Sequence, residues 1–127
     1  RPIYILSFKQ VERGTSGAVS LLGLLSSLGG SFLIVALAVL LFSEYLFGAF
    51  AFMVGCGFAG SLIDTVLGAL IQVKLKCEQC GIITEKSMHC DQETTIVKGM
   101  RIINNDAVNF LSIMSAAILG ILLEIIT

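Results

Sequence analysis

Asp64 and Asp106 each stand against a long apolar stretch of the chain. A carboxylate placed in or beside hydrocarbon is costly, so it is read first as functional and its partners are sought. One set of partners lies upstream, in Arg13-Gly14-Thr15-Ser16-Gly17. The two glycines allow successive backbone N–H groups to face a common anion. Thr15 and Ser16 add hydroxyls, Arg13 a guanidinium, and the apolar helix that follows its positive end. A phosphate group needs such a set, although a loose lead-in with a serine cap would use the same residues. Asp64 can hold Mg²⁺, which takes one or two carboxylates together with substrate phosphates, or it can orient a nucleophile. The plain alternative is a carboxyl held neutral or bonded to a neighbouring helix. Downstream, Asn104-Asn105-Asp106-Ala107-Val108-Asn109 packs four oxygen-bearing side chains into one short segment. Asp106 and Asn109, three residues apart, share a helical face and suit a metal or a phosphate, while Asn104 or Asn105 can cap the helix.

A second kind of chemistry sits in Cys77-Glu78-Gln79-Cys80-Gly81 and in His89-Cys90. A Cys-x-x-Cys turn with a trailing glycine sets two thiolates about a tetrahedral metal such as Zn²⁺, Cys90 supplies a third, and His89 is the candidate fourth. Joint ligation by the adjacent His89 and Cys90 is geometrically awkward. Free or redox-active thiols are the competing reading, and a stable disulfide is disfavoured in a reducing compartment. Cys56 lies inside an apolar run and reads as a packing residue.

These residues must be positioned by a very apolar chain. Of 127 residues, 56% are hydrophobic and 13% charged, and the mean hydropathy is +0.95, whereas soluble domains carry roughly a quarter charged residues. No charge occurs from Gly14 to Ser43, from Tyr45 to Ile63, or from Ala107 to Leu123. Each run approaches or exceeds the ~20 helical residues that cross a bilayer. The expectation is an all-α membrane protein of one domain, with three transmembrane helices over about 18–43, 45–73 and 106–126 and a connecting loop over about 74–103. Thr94-Thr95-Ile96-Val97 favours a strand by β-branching, so a small hairpin carrying the zinc knuckle is expected in that loop. Arg1, Lys9 and Arg13 precede the first run, and Lys74, Lys76, Lys86, Lys98 and Arg101 fall in the loop. By the positive-inside rule both segments are cytoplasmic. With Glu44 as the outer boundary, a length of about 20 residues each way puts residues 14–23, Asp64 and Asp106 at one membrane face. Gly57, Gly60, Ser61, Asp64, Thr65, Gly68 and Gln72 recur at helical intervals, as do Ser20, Gly23, Ser27 and Gly30 on the first helix and Asn105, Asn109 and Ser112 on the third. Small residues let transmembrane helices approach closely, which accounts for Gly23, Ser27, Gly30, Gly57 and Gly60 as packing seams. Tyr4 and Tyr45 read as interface anchors. The net charge of −1 gives no reason to expect nucleic acid as a partner.

With these motifs in hand, the chain resembles the C-terminal half of the integral membrane family that contains transmembrane protein 19 and the plant chloroplast phytyl-phosphate kinase. The resemblance is carried by residues 11–20, by residues 60–69 with Gln72, and by residues 104–110. It implies a multi-pass helical protein that carries an N-terminal half elsewhere in the same polypeptide. In the plant member it implies nucleotide-dependent phosphorylation of a prenyl monophosphate. Transferred onto this sequence, Asp64 and Asp106 would hold Mg²⁺, residues Arg13, Gly14, Thr15, Ser16 and Gly17 would position phosphates, and Asn105 and Asn109 would complete the oxygen shell. A nucleoside triphosphate would be the co-substrate and a membrane lipid, such as a prenyl phosphate, the partner. Two other readings stay open: a transporter or flippase of an anion, with polar groups deep in the bilayer, and an assembly subunit whose cysteine loop docks a soluble protein.

Overall fold

The computed structural model describes residues 1–42 and 49–126. The expected boundary at Glu44 and the anchor Tyr45 lie outside the described residues. Three helices follow the uncharged runs: α1 (Leu21–Phe42), α2 (Phe50–Leu70) and α3 (Asn105–Ile126). In hydrocarbon every backbone N–H and C=O must be satisfied inside its own segment, which leaves the helix as the form these runs take. At 1.5 Å per residue their 22, 21 and 22 residues give lengths of about 31–33 Å, one hydrocarbon thickness. All three are long and apolar enough to cross a membrane. Their outer faces carry leucines and isoleucines open to the surroundings, Leu21 75% and Leu40 80% exposed; lipid, not a protein core, is the solvent such faces match.

α2 is the central helix and packs against both others. Its close approaches run in order. A Cβ built on Gly57 would lie 2.9 Å from Ser31 Oγ, and one on Gly60 3.1 Å from Ala116 Cβ. Ser61 donates to Ser27 at 3.1 Å and Ser112 to Asp64 at 3.3 Å. The paired numbers rise along α2 as they fall along its neighbours, so both contacts are antiparallel. Gly57, Gly60 and Ser27 therefore act as the seam the spacing predicts. Gly30 does not, because open space faces its Cβ position. Hydroxyls of Ser27, Ser31, Thr65 and Ser115 return their hydrogens to carbonyls three or four residues back, which keeps them satisfied within apolar helices.

The bundle ends at one side in small β structures. β1 (Ile3–Tyr4) pairs antiparallel with β2 (Ala18–Val19), in the register Ile3↔Val19 and Tyr4↔Ala18. This pairing explains why α1 begins at Leu21 and not at residue 18; Ser20 caps it, accepting from Gly23 N–H at 3.1 Å. After α2 the chain forms β3 (Lys74–Lys76), β4 (Ile83–Thr84), β5 (Met88–His89), β6 (Gln92–Glu93) and β7 (Thr95–Lys98). β4, β3 and β7 make a three-stranded antiparallel sheet in that order, and β5 and β6 a hairpin. The loop thus holds more strand than the single hairpin expected. α2 stops at Leu70, short of residue 73: Val73 N–H instead donates to Ile103 O at 2.8 Å. Two donors close the carbonyl end of the helix, with Tyr4 Oη at 3.0 Å and Lys98 Nζ at 2.9 Å from Ala69 O, and a cation at a helix C-terminus is favoured by its dipole. Tyr4, expected as an interface anchor, is thus a tertiary hydrogen-bond donor, with Lys74 Nζ 4.5 Å over its ring. The best-buried residues, Ala69, Gln72, Val73, Leu75 and Val108 among them, gather where α2 runs into β3 and α3 begins.

Candidate functional site

A cavity of about 670 Å³ opens at this end of the bundle. Its floor is the last two turns of α2, which present Asp64, Thr65 and Gly68. Its wall is the segment from Arg13 to Ala18, with Asn105 at the start of α3 and Glu85 from the loop closing further sides. Motifs far apart in sequence meet here because the two antiparallel contacts bring the start of α1, the end of α2 and the start of α3 to one level. Asp64 is half-buried and accepts from Ser112 Oγ, which itself is buried between α2 and α3.

The glycine-rich segment is built by packing as much as by openness. Gly14 and Gly17 both take left-handed backbone, φ +85° and +81°, a region that glycine alone enters without steric penalty. Open space surrounds the Cβ position of Gly14, whereas one on Gly17 would lie 2.5 Å from Ala69 Cα. Gly17 is therefore the point where the segment is pressed onto α2. Ser16 Oγ lies 2.6 Å from Gln72 Oε1 and 3.1 Å from Gly68 O, and Gln72 Nε2 donates to Glu85 Oε1 at 2.8 Å. The Ser16 hydroxyl is thus already committed to a network that ties the segment, the end of α2 and the loop together. Thr15 Oγ1 donates to Glu12 O at 2.9 Å and closes a local turn. Arg13 is exposed at the mouth.

Of the residues singled out by their chemistry, Arg13, Gly14, Thr15, Ser16, Gly17, Asp64 and Asn105 line this one cavity. Asp106 and Asn109 do not; both are exposed. The helical advance of about 100° per residue gives the reason. Asn105 stands seven residues before Ser112 and returns to within about 20° of its face, while Asp106 is turned about 120° away. Asn104, one residue earlier, caps α3 by accepting from Ala107 N–H at 3.0 Å. Glu85 carries no motif that would mark it in the sequence; only the fold brings it to the cavity.

The second cluster lies in the loop. One ligand atom from each of Cys77, Cys80, His89 and Cys90 falls within 4.8 Å of all the others. His89 Nδ1 is 3.5 Å from Cys80 Sγ and 3.1 Å from Cys90 Sγ. The Cys77 thiol is drawn down to about 6, chiefly by the backbone N–H of Cys80, and Cys90 is pushed up to about 11 by lost solvation and by the sulfurs beside it.

Three apolar helices around a polar cavity at one bundle end define an integral membrane protein. The chain belongs to the family of integral membrane protein DUF92, which matches residues 1–117. It is 35% identical over 104 residues to the uncharacterized membrane protein MJ0933 of Methanocaldococcus jannaschii, a match covering 79% of this chain and 38% of that protein. It is 30% identical over 130 residues to Protein PGR of Arabidopsis thaliana, covering 94% of this chain and 44% of the relative. The chain thus spans less than half the length of either relative. No solved structure matches it.

Proposed function

We propose that the longer protein represented by this chain is a membrane-embedded, Mg²⁺-dependent kinase of a prenyl or polyprenyl phosphate, working at the cytoplasmic interface. The observation that carries this reading is the convergence of Asp64, Arg13, the left-handed Gly14 and Asn105 on one cavity at the end of an apolar bundle. A lipid phosphate has the matching shape: a tail for the exposed leucine faces and an anionic head for the cavity. The family resemblance to a phytyl-phosphate kinase points to the same substrate class.

The donor set suits the cation. Asp64 and Asn105 offer oxygen atoms, and Mg²⁺ takes a carboxylate or two with substrate phosphates completing the shell. Asp64 and Asn105 would hold the ion, which would supply neutralisation of the charge that develops on the phosphates in transfer. The chain's own residues do the positioning. Arg13 and the N–H groups around Gly14 hold phosphate oxygens. Ser16, Gln72 and Glu85 fix the segment against α2 so that this geometry is preformed. Ser112 orients the Asp64 carboxylate. An oxygen of the prenyl monophosphate attacks the terminal phosphorus of the nucleotide, the bond to the bridging oxygen breaks, and nucleoside diphosphate leaves. Asp106 and Asn109, exposed on α3 and outside the cavity, are given no role in it.

A transporter would bind its substrate near the bilayer middle. Asp64 lies six residues from the end of α2 at Leu70, about 9 Å along the helix and about 7 Å from its middle, so its depth does not separate the two readings; dependence on nucleotide turnover does. The test is an assay of the full-length protein with prenyl monophosphates, nucleoside triphosphate and Mg²⁺. Asp64→Asn should lower kcat by about a hundredfold or more while unfolding at nearly the same temperature. Undiminished turnover in that variant would reject the role.

A further inference from the structure

We propose that Cys77, Cys80, His89 and Cys90 form a closed, four-ligand Zn²⁺ site that holds the loop between α2 and α3 in shape and thereby keeps Glu85 at the cavity. The proposal goes beyond the kinase reading and does not depend on it.

Three independent observations carry it. The first is distance. Zinc at about 2.3 Å from sulfur and 2.0–2.1 Å from nitrogen requires ligand atoms about 3.5–3.8 Å apart on a tetrahedron. The four donor atoms already lie within 4.8 Å of one another, with His89 Nδ1 3.5 Å from Cys80 Sγ, so small side-chain rotations suffice.

The second is backbone. Cys77 N–H donates to Ile82 O at 3.0 Å and Gly81 N–H to Cys77 O at 2.8 Å, with Gly81 at φ +75°; this is a tight knuckle around the first two thiols. On the other side, Cys90 and Asp91 both take positive φ, 51° and 57°, and turn the β5–β6 hairpin in the manner of its two-residue loops. Neighbouring side chains of a strand point to opposite faces. The left-handed Cys90 breaks that alternation, and its sulfur comes to 3.1 Å from the imidazole of the residue before it. Non-glycine residues seldom adopt such backbone without cause. Adjacent His89 and Cys90 can therefore ligate one ion.

The third is the poverty of the loop's own core. Between residues 74 and 98 only Leu75, Cys77 and Thr94 are buried, while Ile82, Ile83, Met88, Ile96 and Val97 are exposed. A segment this small holds a fixed shape when a metal supplies the folding free energy. All four ligand positions are filled by protein, which marks a structural site and not a catalytic one. Glu85 falls between Cys80 and His89 in the chain, so the metal closes the loop that presents it to Gln72.

Metal analysis of the full-length protein, purified in detergent from zinc-supplemented cells, should find one zinc per chain. Exchange with Co²⁺ should give tetrahedral ligand-field bands and a sulfur-to-cobalt charge-transfer band, the latter falling in proportion to thiolates removed in Cys80→Ser and Cys90→Ser. His89→Ala keeps all three thiolates, so it should still accumulate as folded protein, yet it should lose stoichiometric zinc on gel filtration and show altered ligand-field bands. Chelation should speed amide exchange across residues 75–96 and leave the middle of α1, α2 and α3 protected. Protein that takes up no stoichiometric zinc, or whose mass shows a disulfide among these cysteines, overturns the site. Zinc retention and cobalt spectra unchanged by His89→Ala overturn the four-ligand set.

Discussion

Gly14 and Gly17 share a conformation and differ in surroundings, which separates a binding role from a packing one. Alanine at Gly14 meets nothing within 4 Å, so its penalty is the left-handed backbone alone, about 1–2 kcal/mol. Alanine at Gly17 adds a Cβ 2.5 Å from backbone and side-chain atoms of Ala69, and overpacking raises the total to about 2–5 kcal/mol. Thermal unfolding in detergent should therefore place Gly17→Ala well below Gly14→Ala. Gly14→Ala should be the variant that loses phosphate-dependent activity while staying folded. Equal unfolding temperatures would mean that the segment is not seated on α2. The sequence shows both glycines but cannot rank them, because the residue that decides the matter, Ala69, is far along the chain. Ser16 illustrates the same limit: its hydroxyl looks available for a phosphate until Gln72 and Glu85 are brought beside it.

At the level of elements, the three helices are legible because their cause is local: uncharged runs of spanning length bounded by charged residues. Their ends are less so, since β1–β2 pairing trims the start of α1 and the sheet around β3 ends α2 early, both through partners remote in sequence. The faces of α3 show a further limit. Spacing alone offers two groupings, Asp106 with Asn109 and Asn105 with Asn109 and Ser112, but which face meets α2 depends on Gly60, Asp64 and their contacts, and that face carries Asn105, Val108 and Ser112. The α2–α3 seam gives a prediction at this scale. A valine at Gly60 would press on Ala116, whose Cβ is 3.1 Å from the site of the new carbon; separation of the helices should cost about 1–3 kcal/mol and weaken the Ser112–Asp64 contact one turn away. Ala116→Gly should restore much of the loss, giving a coupling in a double-mutant cycle that distant pairs lack. Gly30→Ala, facing open space on α1, should leave unfolding unchanged or slightly raise its temperature. Strictly additive Gly60 and Ala116 effects would place the two helices further apart than the seam requires.

For the whole molecule, antiparallel packing has a consequence that no single helix carries. The β1–β2 segment, the cysteine loop and the start of α3 all lie at one end of the bundle, so a spanning orientation commits them to one side of the membrane together. Eight basic residues stand in those segments, and the positive-inside rule predicts the cytoplasm for that side. Single cysteines placed at Lys9 and Lys86, both exposed, test this arrangement. In sealed right-side-out vesicles neither should react with a membrane-impermeant maleimide, and in inverted vesicles both should. The native thiols serve as an internal control, since zinc would shield Cys80 and Cys90 until a chelator is added. Lys9 and Lys86 reacting from different sides would break the bundle topology itself. Both reacting from outside would keep the topology and reverse the orientation, which would remove the nucleotide-accessible face that the kinase reading requires, because nucleoside triphosphates are a cytoplasmic resource and Asp64 opens to the same end as the loop.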